Sequence, residues 1–156
     1  MSNEILNTEL IPLEQWYCDG CGEIIEHPED GMLEWKSFIT ENPNDITAKD
    51  FRIVHGDWIK SCKKVRYDGT DLSDGHLDWF LGNDGLGKLL TFFFENNLNP
   101  KELAIIIKRL QIRYYEEART YIHLAHADDD HGIDPYDIGD INESDAVYLI
   151  RKYARR

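Results

Sequence analysis

With 156 residues, 42% of them hydrophobic and including four Trp, eight Tyr and six Phe, the chain holds enough apolar mass for a packed core, which excludes wholesale disorder. Thirty acidic residues against 17 basic ones give a formal charge of −13, a surface that repels phosphate backbones and anionic lipid and suits a basic protein partner. No apolar run approaches the roughly 20 residues needed to cross a bilayer, and MSNEILNTEL lacks the basic and apolar regions of a secretory signal, so a cytoplasmic protein is expected.

In chain order, the first chemical signal is WYCDGCG at 16–22. The spacing of Cys18 and Cys21 suits either a redox pair or half of a metal site. A redox pair needs its nucleophilic cysteine at a helix N-terminus, which lowers the thiol pKa. Here the motif runs instead into GEIIEH, a strand-like stretch, and Gly20 and Gly22 suit a tight knuckle whose backbone N–H groups turn toward thiolates. PEDG at 28–31 reads as a turn and MLEWKSFIT as the return strand of a hairpin with GEIIEH. ENPND is a loop. DFRIVH alternates as a strand, with Phe51, Ile53 and His55 on one side. GDWIKSCKK turns, and VRY reads as a short strand ahead of DGTDLSDG.

The remainder reads as helices. Asn83 or Asp84 is expected to cap a helix over GLGKLLTFFFEN, despite two helix-weakening glycines near its start. Asn99 reads as the cap of a second helix, with Pro100 at its first position and Glu102 near a capping-box position. From there Leu103, Ile107, Leu110, Tyr114, Ala118, Tyr121 and Ala125 recur at four-three spacing, which predicts one long helix with a continuous apolar stripe. An acidic loop, HADDDHGIDPYDIGD, precedes a last helix that starts near Asn142 and buries Ala146, Leu149, Ile150 and Tyr153. Strands followed by helices predict an α+β fold: a small zinc-ribbon-like antiparallel sheet packed on a C-terminal helical part. One domain over 1–156 is expected, with a knuckle-bearing β part at 16–67 and a helical part at 73–156.

A structural zinc takes four ligands in a tetrahedron. Cys62 is the only other cysteine, and His55 ends a strand seven residues before it. Cys18, Cys21, His55 and Cys62 therefore form the expected set, with His27 as an alternative fourth ligand. Three soft thiolates and an imidazole favour zinc over magnesium or calcium. A closed set implies a structural metal rather than a catalytic one.

Two other groupings carry weaker chemistry. Lys60, Lys63, Lys64 and Arg66 flank Cys62, with Trp58 and Tyr67 nearby as stacking faces, a pattern that can grip nucleic acid, although the net charge opposes it. His123, His126 and His131 beside Asp128, Asp129 and Asp130 could form a hydrolytic metal centre, although consecutive acids cannot all face one point. GNDGLGKLL fits neither a phosphate loop nor a dinucleotide fingerprint and reads as a turn into a helix.

The motifs YCDGCGEII, PEDGMLEW, FRIVH, FLGNDGLGKLL and LQIRYYEEAR resemble those of a family of small bacterial proteins with no established activity. The resemblance spans residues 16 to 119 and implies that knuckle and helices form one unit. It implies no functional residue. The sequence thus points to a zinc-stabilised, non-enzymatic interaction or regulatory module with a basic protein partner, an acidic inhibitor or immunity-type protein of bacterial or phage origin being one form. A nucleic-acid-binding zinc module and a metal-dependent hydrolase are the alternatives.

Overall fold

A computed structural model of the chain describes residues 6–39, 41–42, 44–62, 71–133 and 137–154. The fold is α+β, with two antiparallel sheets and five α-helices among the described residues. The first sheet pairs β1 (Trp16–Tyr17) with β2 (Ile24–Ile25), in the register Trp16 to Ile25. The second has the order β4-β3-β5, built from β3 (Gly31–Ile39), β4 (Ile46–His55) and β5 (Asp71–His76).

The hairpin expected around PEDG is thus rearranged. Residues Pro28–Asp30 form a turn of 3-10 helix, and β3 pairs with β4 and β5 instead of with the GEIIEH strand. The knuckle at 18–22 folds β2 back onto β1, and the 3-10 turn at Pro28–Asp30 then carries the chain into β3 in the other sheet, where it pairs on both sides. β5 was not assigned from sequence, because DLSDGH shows neither apolar alternation nor β-branched residues. VRY at 65–67 lies outside the described residues, as do Lys63, Lys64, Arg66 and Tyr67.

β4 carries a bulge: the register with β3 slips between Glu34 and Lys36, and Asp50 sits at φ 56°. Lys36 Nζ reaches the Asp50 carboxylate at 3.3 Å. The Phe51 N–H is taken up by the Glu102 carboxylate at 2.8 Å. The capping-box acid expected for the second helix therefore ties that helix to the sheet.

The helices are α1 (Gly82–Glu95), α2 (Pro100–Gln111), α3 (Tyr115–Ala118), α4 (Ile122–Ala127) and α5 (Glu143–Tyr153). α1 opens slightly before the expected Asn83 or Asp84 cap, with Leu81 in the cap position. Asn99 caps α2 as expected, its side chain accepting from the Lys101 N–H at 3.0 Å. Asn142 and Asp145 close a capping box on α5, and Ala146, Leu149, Ile150 and Tyr153 are its buried residues.

The single long helix is a correction: the stripe from Leu103 to Ala125 breaks at Tyr114, which adopts φ 71°. Beyond the break Tyr115, Ala118, Ile122 and Ala125 are buried, while Tyr114 and Tyr121 are only half-buried. Two cores demand this. α1 and α2 close the sheet core around Trp16, Leu33, Ile53 and Leu103, whereas α3, α4 and α5 enclose a second core around Tyr115, Ile141 and Leu149. A straight helix would also hold Arg109 and Glu116 about 10 Å apart along its axis. The break instead brings them to 2.7 Å.

Candidate metal centre

The knuckle between β1 and β2 is fixed by its own backbone. The Cys18 N–H donates to the Glu23 carbonyl at 2.9 Å and the Gly22 N–H to the Cys18 carbonyl at 2.9 Å. Gly22 adopts φ 79°, the left-handed conformation that glycine takes without a steric penalty. Gly20 is needed for a different reason. A Cβ there would lie 2.8 Å from the Cys62 Cβ and 2.9 Å from its carbonyl oxygen. Absence of that side chain lets the Cys62 segment close over the knuckle.

Ligand-type atoms of Cys18, Cys21, His55 and Cys62 all lie within 4.8 Å of one another, and this cluster could hold a metal ion. It is the set expected from the sequence. No other group of three or more such residues converges in this way among the described residues. His55 sits at the end of β4 with Nδ1 directed inward, 3.5 Å from the Cys21 sulfur and 3.7 Å from the Cys62 sulfur. A tetrahedral zinc with Zn–S of about 2.3 Å and Zn–N of about 2.0–2.1 Å separates a sulfur and a nitrogen ligand by about 3.6 Å. The distances from His55 Nδ1 to the Cys21 and Cys62 sulfurs match that spacing.

The outer contacts prepare the donors. His55 Nε2 lies 3.2 Å from the Ile24 carbonyl, which can only accept; the tautomer protonated at Nε2 makes this bond and turns the Nδ1 lone pair toward the sulfurs. The Cys18 sulfur accepts from the backbone N–H of Gly20 at 3.3 Å and of His55 at 3.4 Å, as a thiolate ligand requires. Burial pushes the Cys62 thiol up to about 12, and the neighbouring Cys18 and Cys21 sulfurs push the same way. Burial also raises Cys21, but the Glu23 backbone, the other two sulfurs and Lys60 bring its net direction down. Three thiolates at one point would repel each other, and a cation bound among them would offset that repulsion. Cys18, His55 and Cys62 are buried, and Cys21 is the exposed member.

A charged network that the sequence did not disclose anchors this knuckle. Asp19 Oδ2 accepts from the Ile53 N–H at 2.8 Å, and the Asp19 N–H donates to the Ile53 carbonyl at 2.8 Å, which satisfies the outer edge of β4. Arg109 of α2, 4% exposed, donates to both Asp19 carboxylate oxygens at 2.8 and 3.2 Å and to both Glu116 oxygens at 2.7 and 2.9 Å. Arg119 adds to Glu116 at 3.2 Å. Despite its burial, Glu116 is held below the usual carboxylate range by Arg109 and then Arg119. The Trp16 indole N–H donates to the Arg109 carbonyl at 2.9 Å. The metal cluster, the sheet edge and α2 thus share one set of contacts. The available signal was the short interval from Arg109 to Glu116, which an unbroken helix would have kept apart.

The remaining sequence candidates do not join the cluster. His27 is exposed and precedes the 3-10 turn, so it is not the fourth member. Lys60 is paired with Glu23 at 2.7 Å. His123, His126 and His131 are exposed. Asp130 faces away from any such centre: only 3% of its side chain is exposed, and it accepts from Tyr148, Lys152, Tyr153 and the Gly132 N–H. No helix among the described residues is long and apolar enough to cross a membrane.

Comparison with protein-family models, curated proteins and solved structures finds no match.

Proposed function

We propose that the chain is a cytoplasmic interaction module stabilised by one structural zinc on Cys18, Cys21, His55 and Cys62, and that it acts by holding a basic protein partner. The observation that carries the metal reading is the convergence of three sulfurs and an oriented imidazole at zinc spacing. Soft donors select zinc, and four protein ligands leave no position for a reactive water. The metal then pins the knuckle to β4 and to the Cys62 segment, which are distant in sequence.

The interaction reading is supported by the surface. The charge of −13 favours basic partners. On α1, Leu90, Phe93 and Phe94 stand exposed, Phe94 at 88%. Large apolar side chains grouped on one helix face commonly mark protein contact. An inhibitor or immunity-type protein of bacterial or phage origin fits this combination.

The test is affinity capture with the zinc-loaded chain, with recovered proteins eluted by a salt gradient and identified. A basic protein that leaves at moderate salt, and that Phe94→Ser captures less well, supports the reading. Turnover of a substrate by the purified chain, with no basic protein retained at low salt, overturns it.

A further inference from the structure

We propose that the cleft between β5 and α1 is the seat for a cationic side chain, an arginine above all, on a basic peptide segment of the partner. The proposal rests on the basic-partner reading and gives it a location. The cleft has a volume of about 470 Å³, within the range of ligand sites. Its inner wall is aromatic: Trp35 packs edge to face against both Phe80 and Phe92, its centroid 4.9 Å from that of Phe92. Its charged lining residues are Asp74 on β5, and Lys88 and Glu95 on α1.

At the mouth stands Trp79, 53% exposed. Its ring lies 4.7 Å from that of His76, which in turn lies 5.0 Å from that of Trp58, itself 51% exposed. The three rings form an exposed aromatic ledge that runs from the end of β4, beside His55, to the cleft. Trp58 is fixed there by its packing on Gly56 and by its indole N–H, which donates to the Glu29 carbonyl at 3.2 Å, so the ledge is presented to solvent in a defined orientation. A guanidinium stacks on such faces, and Lys88 Nζ already lies 5.9 Å from the Trp79 centroid, so the ring face accepts a cation in this structure. Asp74 and Glu95 supply the compensating charge. They also discriminate against phosphate, which disfavours nucleic acid on this ledge.

Lys88 competes for the same ring, which gives the proposal an unusual signature. Binding of an octa-arginine peptide to the zinc-loaded chain is measured by calorimetry at two salt concentrations. The expected result is that Trp79→Ala and the double variant Asp74→Asn/Glu95→Gln each weaken binding by about tenfold. Lys88→Met strengthens it, and Asp129→Asn, which removes one negative charge at a 93% exposed side chain outside the cleft lining, leaves it nearly unchanged. If the peptide binds all variants equally, the seat is overturned while the basic-partner reading stands. If no basic peptide binds at low salt, and oligo-dT or a neutral oligosaccharide binds in a Trp79-dependent way, both are overturned.

Discussion

Asp19, set between the two cysteines of the knuckle, grips Arg109 with both carboxylate oxygens across 90 residues of sequence. This contact couples the metal cluster to the break in the helical stripe, because Arg109 also holds Glu116 beyond that break. Removing Arg109 leaves the Asp19 and Glu116 carboxylates with Arg119 as their shared cation, 3.2 Å from Glu116 and 3.9 Å from Asp19, and strips both of their bidentate contacts. Arg109→Leu is expected to cost about 3–5 kcal/mol of stability and to weaken zinc binding about 10- to 100-fold. Denaturant unfolding and competition with a chromogenic chelator measure the two effects. Arg109→Lys rescues little, since one ammonium cannot span both bidentate contacts.

Metal content per chain is the second test. One zinc is expected in the wild type, lost in Cys18→Ser and His55→Ala together with cooperative unfolding, and retained in His123→Ala. Elemental mass spectrometry beside a thermal melt reads both. Acidification should release the metal, because each thiolate must take up a proton as the ion leaves. Retention of one zinc in Cys18→Ser would remove the knuckle from the site.

Two glycines of α1 should respond with opposite sign. A Cβ at Gly85 would lie 2.1 Å from the Phe80 carbonyl carbon, so Gly85→Ala must displace the backbone of the preceding turn. A loss of about 1–3 kcal/mol or more is expected. At Gly87 nothing lies within 4 Å of the added methyl, and Gly87→Ala should gain about 0.5–1 kcal/mol from helix propensity. Thermal melts of the two variants decide it.

Asp130 gives a pH signature. The hydrogen bonds from Lys152, the Gly132 backbone and Tyr153 hold its carboxyl well below the usual range. A carboxyl depressed in the fold adds stability above its ordinary value, and that stability is lost as pH falls below it. Asp130→Asn should therefore melt several degrees lower than wild type at neutral pH, with the difference narrowing steadily below about pH 4. An unchanged difference between neutral and strongly acidic pH would show that the charge is not what holds the α5 contacts.

The sequence by itself determined the pieces whose cause is local. The CDGC knuckle with its glycines, the Asn99–Pro100 start of α2, and the Asn142 cap and apolar face of α5 were legible, and donor type alone singled out Cys18, Cys21, His55 and Cys62, whose convergence the fold then supplied. Each depends on turn chemistry, capping or donor type, which a few adjacent residues or one residue class disclose. Only the tertiary structure decided the partners of those pieces. β3 paired with β4 and β5 rather than with β2, a choice between strands far apart in the chain that no local residue signals. The long stripe broke at Tyr114 because two cores and the Arg109–Glu116 contact outweighed an uninterrupted helix, at the cost of a left-handed tyrosine. The same holds for the aromatic ledge: Trp58, in the turn after β4, meets His76 and Trp79, three residues apart at the end of β5 and in the turn that follows it, and a contact between segments so distant leaves no periodic signal along the chain.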